Sequence, residues 1–248
     1  MTITLNNVSF SYSPGVPVLR DISFTLKEGE LILIVGKNGA GKSSLLKLLN
    51  GILKPTSGSI FVSGHDTVTT PTSELAKHVS VTFQNPADQI FASTVREEME
   101  FGPRNIGRPD TDAIVEKTIR LFELGPLANK HPYDLLPAQR KLLTIAAAVA
   151  MGTPALALDE PTAGLSQMEK RTVRQMFSAL LAEQKAFLIV SHDLEFFLSL
   201  ATTVLLVVDG CIEFAGPPSQ LMENDKLRRT GIRPPLALRM ESMLTNSG

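Results

Sequence analysis

Cys211 is the only cysteine in this chain. An internal disulfide is therefore excluded, and so is a cysteine-rich zinc site. The lone thiol is expected to be a buried structural group. Excess charge is missing as well: 24 Lys and Arg face 25 Asp and Glu, for a net charge of -1. The two signs are mixed along the chain and no Lys/Arg-rich run occurs, so there is no nucleic-acid footprint. Long apolar runs are also absent. The longest stretch, "LLTIAAAVAMGTPALAL" from Leu142 to Leu158, is broken by Gly152, Thr153 and Pro154. It reads as a buried helix followed by a buried strand, because a membrane span needs about 20 uninterrupted apolar residues. The opening "MTITLNNVSF" alternates apolar and polar residues and lacks the basic-then-apolar layout of a signal peptide. A soluble, cytoplasmic chain is expected, one that can still dock on a membrane protein.

Apolar residues make up 43% of the 248 positions, enough for one substantial domain or a core with an inserted subdomain. "TITLNNVSFSY" and "VLRDISFTLKEGE" alternate like strands joined at "SPGVP". "LILIV", Leu31 to Val35, is solidly apolar, as central strands covered on both faces are. A glycine-rich turn and the leucine-spaced "KSSLLKLLNGIL" follow. "SGSIFVSGHD" and "HVSVTFQ" are further strands. From about Pro86 to Met151 the period becomes helical, with Thr111 or Asp112 as a helix cap and Gly125 as a stop. Strand–helix alternation then returns through "ALALD", "SQMEKRTVRQMFSALLAEQ", "AFLIVSH" and "LEFFLSLA". "TVLLVVDGCIEFAG" reads as two strands joined at Asp209-Gly210. The fold class is α/β: a core over 1–86 and 152–217, a helical insertion over 87–151, and an extension over 218–248. The extension holds Pro234-Pro235 and one short helix.

"GKNGAGKS", Gly36 to Ser43, has the spacing G-x-x-x-x-G-K-[ST] between a buried strand and a helix. Glycines let the backbone curl so that its N–H groups point at phosphate oxygens. The helix that follows presents its positive end to the same anion. Gly36, Asn38, Gly39, Ala40, Gly41, Lys42, Ser43 and Ser44 are the expected nucleotide-binding residues. Lys42 adds a point charge for the terminal phosphates, and the Ser43 hydroxyl can ligate Mg²⁺. "ALALDEP" supplies the acidic strand end, where Asp159 can orient a Mg²⁺-bound water and Glu160 can polarise the attacking one. ATP and Mg²⁺ are thus the expected ligands.

Gln84 in "VTFQNP", the helical stretch, Asp159-Glu160 and His192 in "VSHD" follow in that order. This order resembles the nucleotide-binding subunits of ATP-binding cassette (ABC) transporters, from about Ile3 to Pro217. The resemblance implies a P-loop NTPase core with an antiparallel β subdomain and an inserted helical subdomain. It implies two such subunits, head to tail, with two ATPs between them. Gln84 would touch Mg²⁺ or the water and sense the transporter, His192 would hold the γ-phosphate, and Tyr12 would stack on adenine. His65, His78 and His131 lack such context and are expected at the surface. "QNPADQIFASTVREEMEFGPRNIG", Gln84 to Gly107, and the tail "TGIRPPLALRM" resemble the ATPases of energy-coupling factor (ECF) importers of vitamins and metals. In that group two ATPases work with a membrane coupling protein and a small substrate-binding membrane protein. Such a subunit sits on the cytoplasmic face of the membrane.

"LLPAQ", Leu135 to Gln139, stands where the family carries Leu-Ser-Gly-Gly-Gln, which grips the other subunit's ATP. Leu136 has no donor, Pro137 has no N–H, and Ala138 brings a Cβ where close approach wants none. Leu135 and Gln139 are retained. Ser166 replaces an aspartate that also reaches across the dimer. Hydrogen bonds to charged groups contribute ~1.5–3 kcal/mol each, so two lost bonds slow a transition state by about 10²-fold or more. Both departures weaken the opposite site and none touches this chain's own. That asymmetry favours a heterodimer with a subunit of intact signature; tolerated drift is the alternative. Other ABC transporter classes and a non-hydrolysing regulatory ATP-binding module are also open readings. DNA-repair ABC ATPases carry a long coiled coil after the P-loop, and translation-type tandem proteins carry a second P-loop. This chain has neither.

Overall fold

The structure, a computed structural model, describes residues 1–222. The expected short helix near Pro234-Pro235 and the ECF-like tail lie outside these residues. In chain order the elements are β1 (Thr2–Ser13), β2 (Val16–Lys27), β3 (Leu31–Gly36), α1 (Lys42–Leu49), β4 (Ser57–Val62), β5 (His65–Asp66), α2 (Thr72–Leu75) and β6 (Val79–Thr82). Then come α3 (Val95–Asn105), α4 (Thr111–Leu121), α5 (Pro137–Ala150), β7 (Ala155–Asp159), α6 (Gln167–Ala182), β8 (Ala186–Val190), α7 (Leu194–Phe197), β9 (Thr203–Val208), β10 (Cys211–Gly216) and α8 (Pro218–Met222).

Two sheets form. One is antiparallel with strand order β2-β1-β4-β5; the other has six strands in the order β10-β9-β3-β8-β7-β6. In the second, β3 pairs in parallel with β8 and β9, and β7 with β6 and β8. Only β10 runs antiparallel, through the Asp209-Gly210 turn, where both residues have positive φ as a tight hairpin requires.

The solid apolar run of β3 has a direct cause. Leu31, Leu33 and Val35 pack into a core shared with α5 and α6, while Ile32 and Ile34 pack into a second core with α1 and the antiparallel sheet. Successive side chains point to opposite faces, and both faces are covered. Helices α3, α4 and α5 lie between β6 and β7 in the chain, yet those strands are neighbours in the sheet. The helices therefore project as an excursion from one sheet edge, and α5 packs back on it.

Several local expectations need correction. Asp110 precedes α4 as its cap residue, and Thr111 instead donates its hydroxyl to the Arg108 carbonyl at 2.9 Å. The helix stops before Gly125. Glu123 takes the left-handed conformation (φ 56°), with Leu124 N–H on Ile119 O and Glu123 N–H on Arg120 O. This is the Schellman pattern, in which burial of Leu124 substitutes for the usual glycine. Cys211 is only partly buried, because it opens the edge strand β10. His65 and His78 are only partly exposed, whereas His131 is at the surface as expected. The His78 ring stacks on His65 at 4.6 Å.

Candidate nucleotide site

The carboxyl ends of β3, β7 and β8 face one edge of the parallel sheet, and a cavity of about 850 Å³ opens there. Such edges are where open α/β sheets bind ligands. The loop from Gly36 to Gly41 crosses it with Gly39 and Gly41 at positive φ, 84° and 92°. Lys42 begins α1 and is buried; its Nζ donates to Gly36 O at 2.6 Å and Lys37 O at 2.8 Å. The ammonium is thus folded onto the loop's own carbonyls. Burial pushes its pKa down, against the pull of Glu160 and Asp159.

Ser43 Oγ donates to Asp159 Oδ2 at 2.6 Å. Asp159 is the last residue of β7. Glu160 follows in the left-handed region, φ 48°, and its N–H donates to Val190 O at 2.8 Å. Its Oε2 accepts from Ser191 Oγ at 3.2 Å and His192 N at 3.3 Å. Its Oε1 is buried without a hydrogen bond, although His192 Nε2 lies 3.4 Å away outside bonding geometry. Burial raises the Glu160 carboxyl above its ordinary value, against the His192 charge and these donors. A carboxyl with a raised pKa in the wall of a cavity is suited to accept a proton from water.

His192 lies two residues beyond β8, and its Nε2 meets Asn38 Oδ1 at 3.1 Å. Gln84 lies two residues beyond β6 rather than at the strand end, and its exposed side chain lines the cavity. Tyr12 is 61% exposed at the other end, its ring edge-on to Phe10 and its hydroxyl 2.9 Å from Ser44 Oγ. Tyr12 also lines the cavity. Asn38, Gly39, Gly41 and Ser44 line the cavity, whereas Ala40 is packed in the core and Gly36 offers only its carbonyl.

Leu136, Pro137, Ala138 and Gln139 do not line this cavity. Leu136 is 66% exposed and caps α5 without a side-chain donor or acceptor, Pro137 is the first helical residue, and Gln139 Oε1 accepts from Leu136 N at 3.0 Å. Ala138 packs partly against the core at helical backbone angles, so nothing local demands glycine. Ser166 caps α6 in a reciprocal pair with Glu169.

Sequence reading missed an ion pair and a buried lysine. Lys170 on α6 pairs with Asp193 at 2.6 Å, and both line the cavity. Lys141 on α5 is buried behind it, bonded to the carbonyls of Gln84 and Asp159. The second had a readable signal. Lys141 shares its helix face with Thr144, Ile145 and Ala148, all buried, and a lysine in that phase needs a partner.

A phosphate loop, a strand-end carboxylate pair and a histidine converging on one cavity define a P-loop nucleotide hydrolase. The sequence profile of the family described as "ABC transporter" matches residues 19–163. The chain is 34% identical over 238 residues to the energy-coupling factor transporter ATP-binding protein EcfA of Methanocaldococcus jannaschii, covering 94% of this chain and 85% of that one. It is 34% identical over 247 residues to EcfA2 of Caldanaerobacter subterraneus subsp. tengcongensis, covering 95% and 86%. Among solved structures, cbiO1 from Clostridium perfringens, part of the ABC transporter complex cbiONQ, superposes with a TM-score of 0.79 at 27% identity, covering 97% of this chain and 98% of that one. The chain therefore belongs to the ABC transporter family, and it is one of that family's ATP-binding cassettes, an ATPase. Among the described residues, no helix is long and apolar enough to cross a membrane.

Proposed function

We propose that this chain powers an ECF-type importer of a vitamin or metal ion, as one half of an ATPase heterodimer on the cytoplasmic face of the membrane. Its partners are a second ATPase with an intact signature, a membrane coupling protein and a substrate-binding membrane protein. The observation that carries this reading is an asymmetry. Lys42, Ser43, Asp159, Glu160, Gln84 and His192 gather on one cavity, whereas Leu136 and Pro137 stand away from it with nothing to donate. The names of the EcfA relatives and of the cbiONQ complex support the importer assignment.

In this reading Tyr12 stacks on adenine, and the loop N–H groups and Lys42 bind the phosphates. Glu160 takes the proton of the attacking water, and His192 leaves Asn38 to meet the γ-phosphate. Ser43 Oγ, Asp159 and Gln84 make a hard-oxygen set that fits Mg²⁺, which typically uses one or two protein oxygens with phosphate and water. When bound, Mg²⁺ neutralises charge building on the phosphates. Phe91 and Phe101, 60% and 47% exposed with rings 4.4 Å apart, flank a groove of about 290 Å³ between α3, β6 and α5. A helical segment of the membrane coupling protein docks there, beside the Gln84 loop.

The test is ATP hydrolysis by the purified chain alone over a range of protein concentrations, beside Glu160→Gln. Little turnover with ATP binding intact, and turnover that appears on adding a subunit with a complete signature, is the expected result. Glu160-dependent turnover climbing steeply with concentration would mean a working homodimer and would sink the heterodimer.

A further inference from the structure

Lys141 is 4% exposed, two residues beyond the altered signature stretch. Its Nζ donates to Gln84 O and to Asp159 O, each at 3.2 Å. One ammonium therefore joins three segments remote in sequence: the helix α5, the loop leaving β6, and the end of β7. Apolar packing alone would let α5 slide or rotate on the sheet. Two bonds from a charged donor are stronger and directional.

The Asp159 bond has a particular consequence. The Asp159 carbonyl and the Glu160 N–H belong to one peptide unit. Lys141 holds its oxygen, and Val190 O accepts from its N–H at 2.8 Å. That unit leads into Glu160 at φ 48°, a conformation that costs a non-glycine residue about 1–2 kcal/mol. Such strain persists only where the surroundings over-determine it. On the other side, the Gln84 carbonyl opens the turn in which Asp88 N–H bonds Asn85 O, and Gln89 and Ile90 N–H bond Pro86 O.

We propose that Lys141 is a positioning residue, whose ammonium ties the signature-bearing helix to the two peptide units that place Gln84 and Glu160. Rotation of α5 against the sheet then moves the water-activating carboxylate and the Gln84 loop together. The inference rests on the assignment of Gln84, Asp159 and Glu160 to the nucleotide site. It is independent of the membrane partners.

The experiment is hydrogen exchange on the full chain without nucleotide, comparing wild type, Lys141→Met and Lys141→Arg. In Lys141→Met, the Glu160 amide and the amides of Asp88, Gln89 and Ile90 are expected to exchange at least about tenfold faster, the size of one lost charge-assisted bond. Amides of α4 stay unchanged, Mg²⁺-free ATP affinity is retained, and Lys141→Arg keeps most of the protection. In an assembly that turns over, Lys141→Met lowers kcat with little change in KM, and Lys141→Arg rescues it. Wild-type protection at both segments, or uniform loss of protection that includes α4, overturns the proposal. Should Lys141→Met not fold, Lys141→Gln carries the test, since its amide keeps N–H donors on a shorter side chain without the charge; wild-type exchange at both segments again overturns it. Failure of the site assignment itself reads differently, as full turnover in Glu160→Gln with normal exchange.

Discussion

The hydroxyl of Ser43 donates to the carboxylate of Asp159 at 2.6 Å, although 116 residues separate them. They meet because β3 and β7 both pair in parallel with β8, so the ends of β3 and β7 emerge at one edge. Asp159→Asn keeps an acceptor for the serine and removes the charge. ATP affinity without Mg²⁺ should be unchanged, and the gain in affinity on adding Mg²⁺ should be lost. Calorimetric titrations with and without the metal measure both. A wild-type Mg²⁺ effect in this variant would remove Asp159 from the metal site.

The phosphate loop offers a graded test. Gly39 and Gly41 share positive φ, but a Cβ on Gly39 meets nothing within 4 Å, whereas one on Gly41 lands 2.6 Å from Leu19 Cδ2 and 2.8 Å from Val18 O. Gly39→Ala should cost roughly the 1–2 kcal/mol of the left-handed conformation. Gly41→Ala adds a backbone clash and should lower the melting temperature further, with loss of nucleotide binding. Equal behaviour of the two variants would contradict the geometry.

The stretch proposed as an altered signature makes a stability prediction opposite to the usual one. Leu136 stands at the cap of α5 with no side-chain acceptor. Leu136→Ser supplies one and should stabilise the chain by about 1 kcal/mol, seen as a higher denaturant midpoint. It should not bring turnover to the chain alone, because Pro137 still lacks an N–H.

His78 sets a pH dependence. Its pKa is lowered below the ordinary 6.5, first by burial and then by His65, with Lys77 adding to the effect and Glu74 opposing it. Its Nε2 is buried without a hydrogen-bond partner. Between the lowered value and 6.5 the unfolded chain binds more protons than the folded one. Stability therefore rises with pH through that window and falls on acidification. Denaturation midpoints measured below and above the window should differ less in His78→Gln than in wild type. An unchanged slope would assign the pH dependence elsewhere.

Much of the site was legible because its chemistry is local. The spacing of Gly36, Gly41, Lys42 and Ser43 determines a phosphate-binding turn wherever a strand leads into it and a helix leaves. The missing donors at Leu136 and Pro137 are likewise plain from residue type. Where local signals failed, burial had overruled them: Leu124 packing let Glu123 end α4 ahead of Gly125. His65 and His78 are less exposed than residue type suggests, because their rings stack on each other and join the start of β6 to β5.

What the sequence determined by itself is each part of the machine: the turn that can hold phosphate, the two carboxylates, the histidine, and a helix start where Leu136 brings no side-chain donor and Pro137 no N–H. What the tertiary structure decided is their convergence and their restraint. Asn38 reaches His192 across 154 residues, and Lys141 reaches Asp159 across 18. Glu160 is held left-handed by a carbonyl from another strand. Those contacts follow from the order in which parallel strands stack side by side. Periodicity and residue type carry strand and helix, but the pairing that brings distant strand ends to one edge is a property of the packed sheet.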